Sequence, residues 1–190
     1  MAGETGLTVD ARSAVPPRPP EESARGSARM TPALDELFLR FARTPWAFGF
    51  YSAVRRIECA APAYPRIGTS QRPQDDPVRF AQEPNLAFSP STLATFEPPQ
   101  NGRPARLSGH FFGLLGPNGP MPLHITEFIR DRLLNEHDPT LTAFMNLLNH
   151  RLISLFYRAW AIHQKTAGYD RPGEDPFARY IGSLCGLGME

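Results

Sequence analysis

The sequence has little cysteine and no long apolar run, and these shortages exclude several classes of protein. The two cysteines, Cys59 and Cys185, cannot form a disulfide framework, and no Cys/His spacing typical of a zinc site occurs. No stretch approaches the ~20 apolar residues of a membrane-spanning helix, and the N-terminus lacks the apolar centre of a signal peptide. We therefore expect a cytoplasmic protein that is neither exported nor inserted in a membrane.

The sequence also lacks an excess of charge of either sign. The 190 residues include 20 Lys or Arg and 19 Asp or Glu, a formal net charge of +1, so we expect no nucleic-acid partner. The hydrophobic content of 41% and the aromatic content of 11% are typical of a globular protein, and the length suits one main core.

Motifs that mark an enzyme are missing as well. The glycine-proline loop FFGLLGPNGPMPLHITEF, residues 111 to 128, is not a P-loop, because Asn118 stands at the second glycine position and no lysine follows. His124 and Glu127 have the HxxE spacing of some metal ligands, but no Glu-x-x-His sequence accompanies them. We expect no catalytic activity, metal, cofactor or small-molecule substrate. A small cytoplasmic enzyme with His124, Glu127 and His150 around a pocket is an alternative.

The first 29 residues differ from the rest of the chain. They have almost no large apolar side chains, so burial cannot offset the entropy lost on ordering, and we predict a disordered tail at residues 1 to 29. The PPRPP segment at residues 16 to 20 has the form of a PxxP ligand, although an extended spacer is the favoured interpretation. An adaptor that binds partners through this tail is a further alternative.

Helix starts are marked by a capping residue followed by proline, whose fixed φ suits the first helical position. Such pairs occur at Thr31-Pro32, Thr44-Pro45, Asp138-Pro139 and Asp175-Pro176. Apolar residues with helical spacing follow the first two pairs and recur between residues 125 and 133 and between residues 177 and 184. We predict that the helix from residue 125 ends near Asn135 and that the last helix stops at Gly186.

Prolines interrupt the middle of the chain. Between them lie short apolar runs, from which we predict strands at residues 78 to 80, 86 to 88 and 107 to 114. The expected fold class is therefore α+β, mainly helical, with a small irregular β region at about residues 76–115.

The longest predicted helix covers PTLTAFMNLLNHRLISLFYRAWAIHQK, residues 139 to 165, roughly seven turns at about 3.6 residues per turn. One side is so widely apolar that more than one neighbour must cover it. Its stripe consists of Leu141, Phe144, Leu148, Leu152, Leu155, Ala159 and Ile162. His150, Ser154 and Tyr157 form a polar line, which we interpret as fixing register and partner identity at an interface.

Four segments resemble, in this order, the TssG (also called ImpH or VasB) baseplate subunits of bacterial type VI secretion systems. They are TPWAFGFYSAVRRIE from Thr44, VRFAQEPNLAFSPS from Val78, the glycine-proline loop from Phe111 and FMNLLNHRLISLFYRAW from Phe144. The likeness extends to about Cys185. Members of that family usually continue into a second half, so residues 30 to 190 resemble its N-terminal portion. Asn146 stands where the family often has aspartate.

The resemblance implies a structural wedge component of the baseplate, in the cytoplasm beside the apparatus docked at the inner membrane. A TssG-like subunit joins two copies of TssF and meets TssK and TssE, and the wedges surround the VgrG spike. We expect the loop to contact TssK and the long helix to contact TssF. The predicted partner-binding residues are Gly116, Pro117, Asn118, Gly119, Pro120, Met121, Pro122 and Leu123 in the loop and Leu148, Arg151, Leu155, Tyr157, Arg158 and Trp160 in the helix.

Overall fold

The computed structural model describes residues 31–100, 102–174 and 176–187. Within these ranges it contains six α-helices and three strands, which confirms the mainly helical α+β class. The elements are α1 Pro32–Arg43, α2 Phe50–Ala60, β1 Arg79–Gln82, β2 Leu93–Glu97, β3 Arg106–Gly109, α3 Leu123–Asn135, α4 Thr140–His163, α5 Lys165–Tyr169 and α6 Pro176–Leu184. The tail predicted at residues 1 to 29 lies outside the described residues.

The first predicted capping residue is confirmed and the second is wrong. The Thr31 hydroxyl accepts a hydrogen bond from the Leu34 amide at 3.3 Å, at the start of α1. Thr44 makes no such bond, and Pro45–Ala47 forms only a short 3₁₀ turn. Because the two residues after this turn are extended, α2 begins later than predicted, at Phe50.

The later helix boundaries follow the sequence more closely. Asp138 precedes α4, and its Oδ1 accepts a hydrogen bond from the Thr140 amide at 3.0 Å. Asn135 ends α3 as predicted. Gly186 has a φ of +75° just after α6, a left-handed conformation that glycine adopts without strain, and it ends this helix as predicted. The capping prediction for Asp175 falls outside the described residues.

The three strands form one small mixed sheet with β3 in the centre. β3 pairs in parallel with β1 and antiparallel with β2. The strand predicted at residues 86 to 88 is wrong, because the Asn85 side chain accepts from the Ala87 amide at 2.9 Å and turns the chain there. Phe88 is consequently 83% exposed. Strand β2 was not predicted from the sequence, and β3 covers only the beginning of the predicted run from residue 107.

The main core lies between α1, α2, the sheet and one side of α4. Its fully buried side chains include Phe41, Ile57 and Tyr157. A second, smaller cluster consists of Leu115, Ile129 and Met145 and lies between the glycine-proline loop, α3 and α4. The loop is therefore packed at its base on two helices.

Strand β1 is an edge strand whose free amides are covered by α4. The Gln82 amide donates to Asn146 Oδ1 at 2.9 Å, and the Phe80 amide donates to His150 Nδ1 at 3.1 Å. Four residues of helix rise about 6 Å and two residues of strand span roughly 6.5 Å, so the two acceptors match the two amides. This contact protects an edge that is otherwise open to pairing with another strand.

Candidate partner-binding site

The long helix α4 buries its polar line and exposes most of its apolar stripe, contrary to the expected arrangement. His150, Ser154 and Tyr157 are buried within the chain, so they offer no exposed surface in the described structure. The exposed apolar residues of α4 are Phe144, Leu147, Leu148, Leu152, Leu155 and Ile162. Within the described part of the chain, no element covers this stripe.

Part of the exposed stripe has the spacing of a coiled-coil seam. Leu148, Leu152, Leu155, Ala159 and Ile162 follow one another at alternating intervals of four and three residues. This is the a/d pattern with which one helix packs against another. Leu152 is 40% exposed and Ile162 is 60% exposed, so the seam is open along its length. We refer to these five residues as the α4 seam.

A clamp of amide side chains fixes the base of the glycine-proline loop. Gln82 Oε1 accepts from the Leu115 amide at 2.9 Å, and Gln82 Nε2 donates to the Leu115 carbonyl at 2.6 Å. Asn149 Oδ1 accepts from the Leu114 amide at 3.1 Å. Neither Gln82 nor Asn149 was among the predicted site residues; the available signal was a polar amide directly after two apolar residues in each case.

The tip of the loop, residues 117 to 122, follows this clamped base and has exposed prolines, while Met121 packs on the second cluster. Thr126 Oγ1 on α3 accepts from the Gly116 amide at 3.0 Å, immediately before the tip. On the other side, the Met121 amide donates to the Leu114 carbonyl at 3.1 Å and closes the loop. The loop therefore has a defined conformation before any partner binds.

The predicted partner-binding residues differ in how far they are exposed to solvent. In the loop, Pro117, Asn118, Pro120, Pro122 and Leu123 are exposed, Gly119 and Met121 are half-buried and Gly116 is buried. In α4, Leu148, Arg151 and Leu155 are exposed, Arg158 and Trp160 are half-buried and Tyr157 is buried. Direct partner contact stays a prediction, and the exposed residues are the ones that offer a surface for it.

Tyr157 has a partner inside the chain. Its hydroxyl donates to Glu58 Oε2 at 2.9 Å, while Glu58 Oε1 accepts from the Ile67 amide at 3.1 Å. Burial and the Glu58 carboxylate raise the pKa of Tyr157, so the hydroxyl stays protonated and keeps donating. This bond connects α4 to α2 through the core.

Asp76, His150 and Ser154 include the residue types of a hydrolytic triad, but their geometry is different. His150 Nε2 lies 3.0 Å from Asp76 Oδ2, and His150 Nδ1 already accepts the Phe80 amide. The Ser154 hydroxyl donates to the backbone carbonyl of His150 at 2.7 Å rather than to the imidazole ring. Both ring nitrogens are engaged in the core, so this histidine has no free nitrogen to activate a nucleophile.

The structure does not bring the other candidate chemical residues together at a described cavity. His124 and Glu127 are exposed on α3, and neither they nor His150 line the two surface cavities found beside α1 and α2. Among the described residues, no three His, Cys, Asp or Glu side chains are grouped to hold a metal ion. Likewise, no helix in the described ranges has the length and apolar character needed to cross a bilayer.

The comparison with known families agrees with the four resembling segments. The family described as "Type VI secretion, TssG" matches residues 44–190, which is more than half of the chain. The chain belongs to the TssG family. Membership of the TssG family implies a structural component of a type VI secretion baseplate. No curated protein and no solved structure shows significant similarity to the chain.

Proposed function

We propose that this TssG-family chain joins TssF to TssK within a baseplate wedge. Two copies of TssF bind along the α4 seam, TssK binds the loop tip, and the wedge meets TssE and the VgrG spike in the cytoplasm beside the inner membrane. The observation that carries the proposal is the inverted packing of α4, which turns its leucines outward. The proposal assigns no catalytic residue to the chain.

The α4 seam supports a helical partner on energetic grounds. Full burial of a leucine contributes about 1.5–3 kcal/mol, and each exposed leucine of the seam gains part of this on contact with another helix. An exposed apolar surface of this kind is typical of protein interaction sites. TssF is therefore the partner that we assign to it, in line with the role implied for the family.

A double substitution tests the assignment of the α4 seam. Leu148→Gln with Leu155→Gln removes two apolar contacts from the seam, and we expect TssF to be lost from co-purifications of the full chain. Leu39→Gln with Leu134→Gln is the matched control, because these leucines are 63% and 57% exposed outside α4. Undiminished TssF capture by the α4 variant contradicts the assignment, as does an isolated chain that stays a soluble monomer with sharp thermal unfolding.

The loop tip is suited to binding because little order has to be gained. Pro117, Pro120 and Pro122 fix φ. The clamp holds the chain just before the tip, and the bond from the Met121 amide to the Leu114 carbonyl closes the loop. A segment that is already ordered loses less conformational entropy when it binds. We therefore assign TssK to the exposed residues of the tip.

A variant that tests the tip has to keep Gly119 unchanged. A Cβ at Gly119 lies 2.6 Å from the Leu114 carbonyl oxygen, so a Ser or Ala there disturbs the base of the loop. Exchanging the exposed residues avoids this problem: Pro117→Ser, Asn118→Arg and Pro120→Ser together are expected to abolish TssK capture and to leave TssF capture intact. Pro62→Ser with Pro90→Ser at other exposed sites is the control. Retention of TssK by the tip variant refutes the assignment.

A further inference from the structure

An arginine-lined cleft of about 500 Å³ lies between the end of α1 and the start of α2. Arg40, Arg43 and Arg56 line it together with Ser52 and Phe48, and no acidic residue is among its lining residues. The ion pairs within the described part of the chain all involve other arginines or His150. Three guanidinium groups therefore line one cleft, and none of them forms an ion pair within the described ranges.

An aromatic ring orders two of these arginines. The guanidinium carbons of Arg40 and Arg56 lie 5.8 Å and 5.5 Å from the centroid of the Phe48 ring. Contact with an aromatic face restricts a guanidinium group but does not remove its charge. The N–H groups of the two side chains remain available to an anion. This arrangement lowers the conformational cost of binding an anion at the cleft.

The cleft continues into a second groove with a different lining. This groove, of about 980 Å³, shares Arg40 and Arg56 with the cleft and adds apolar side chains. Its lining also includes Glu36 and an ion pair between Arg55 and Asp170. Tyr51 and Trp160 form one wall, with their rings stacked at a centroid distance of 4.6 Å. A cationic end and an aromatic wall are thus continuous on one surface.

We propose that this surface binds an acidic peptide segment of a partner protein. The carboxylates pair with the three guanidinium groups, whose planar N–H forks match carboxylate geometry, and a neighbouring aromatic or aliphatic side chain packs on Tyr51 and Trp160. Relief of repulsion among the three like charges adds to the attraction. An inorganic phosphate uses the cationic end but leaves the aromatic wall empty. The proposal does not depend on the assignment of the α4 seam or the loop tip.

Fluorescence anisotropy with the full chain tests the proposal. The probe is a fluorescein-labelled, glutamate-rich peptide with a single central phenylalanine. We expect saturable binding that weakens on the order of tenfold in the Arg40→Gln, Arg43→Gln, Arg56→Gln variant. The matched control exchanges the exposed Arg72, Arg103 and Arg130 for glutamine, which removes the same charge elsewhere, and it is expected to bind as the unchanged chain does.

Two variants of the peptide test the cationic end and the aromatic wall of the surface separately. Replacing the glutamates by glutamines is expected to abolish binding, and replacing the phenylalanine by serine is expected to weaken it severalfold. Raising the salt concentration from about 50 mM to about 300 mM is also expected to weaken binding, because the Debye length falls below about 10 Å.

Several outcomes overturn the proposal. Absence of binding does so, as does an equal loss in the control variant, which indicates unspecific charge attraction. Equal binding of the serine peptide also overturns it. Displacement of the peptide by inorganic phosphate at micromolar concentration reassigns the cleft to a small oxyanion. A variant with lysine at the same three positions keeps the charge and controls for misfolding of the glutamine variant. Partial binding by this folded lysine variant supports the guanidinium contacts.

Discussion

Gln82 holds both backbone groups of Leu115 with a single side chain. Its amide accepts from the Leu115 N–H and donates to the Leu115 carbonyl, much as a neighbouring strand does. Gln82 is only 4% exposed, so water cannot replace these bonds. One side chain thus fixes the loop at the point where its tip begins.

The first prediction concerns a substitution that removes the amide of Gln82. Gln82→Leu leaves the Leu115 N–H and carbonyl buried without partners, so the free energy of unfolding of the full chain is expected to fall by about 2–4 kcal/mol. Denaturant titration measures it. Gln71→Leu at an exposed position is the control and is expected to change stability by less than about 0.5 kcal/mol. A similar small effect for Gln82→Leu means that the clamp does not stabilise the fold.

Gly68 allows the loop after α2 to approach the backbone of α4. Its φ is +85°, and a Cβ there lies 2.7 Å from the Ser154 carbonyl oxygen and 2.8 Å from Arg158 Cβ. Both the left-handed conformation and the lack of space therefore require glycine at this position.

The second prediction concerns this close approach. Gly68→Ala is expected to lower the free energy of unfolding by about 2–4 kcal/mol, because backbone strain adds to an overlap with a helix that cannot move freely. Gly173→Ala is the control, since nothing lies within 4 Å of a Cβ there. The stabilities of the two variants are compared through their melting temperatures. Equal melting temperatures argue against the packing of this loop on α4.

At the scale of elements, the contact between α4 and β1 determines which side of the long helix is buried. The amides of Phe80 and Gln82 need acceptors, and only the polar side of α4 supplies them, through His150 and Asn146. A leucine side in the same place leaves two buried N–H groups unpaired, each at a cost of about 1–3 kcal/mol. The polar side therefore packs inward despite the many leucines opposite.

The third prediction tests this contact at Asn146. Asn146→Leu removes the acceptor for the Gln82 amide, so the amides of β1 are expected to exchange hydrogen faster and stability is expected to fall by about 1–3 kcal/mol. Asn146→Asp keeps an acceptor oxygen and is expected to preserve slow exchange. Hydrogen exchange of the peptide that contains β1 distinguishes the two variants. Similar exchange in both contradicts the role given to this oxygen.

At the scale of the whole molecule, arginines tie the segment after α4 to the first half of the chain. Arg171 donates to three backbone carbonyls at 2.9–3.1 Å, those of Glu58, Ala61 and Tyr64. In the other direction, Arg66 donates to the carbonyls of Ala167 and Gly168 and pairs with Glu174. Regions far apart in sequence are thereby connected without a large apolar contact.

The fourth prediction concerns a substitution that weakens the hydrogen bonds of Arg171. Arg171→Lys keeps the charge, but an ammonium group lacks the planar fork that reaches three carbonyls at once. Amides of residues 165 to 174 are expected to exchange hydrogen at least about fivefold faster, while those of β1 are unchanged. Arg72→Lys at an exposed position is the control. Unaltered exchange near α5 means that other contacts hold the segment.

The sequence alone determined where helices form and to which family the chain belongs. Thr31 caps a helix through local bonds, and the apolar spacing from residue 125 predicts α3 to its final residue, because capping and periodicity act within a few turns. The order of the four resembling segments was also sufficient for the TssG family, which the family match confirms. The predicted partner-binding residues stay a prediction.

Only the tertiary structure decided which side of α4 is exposed and what holds the loop. Helical periodicity places a polar line opposite a leucine stripe, but it does not say which of them meets the rest of the chain. That choice follows from the free amides at the edge of β1, more than sixty residues earlier, whose spacing matches acceptors on the polar line. Gln82, Asn149 and Thr126 converge on the loop for the same reason: buried backbone groups require partners wherever the fold places them.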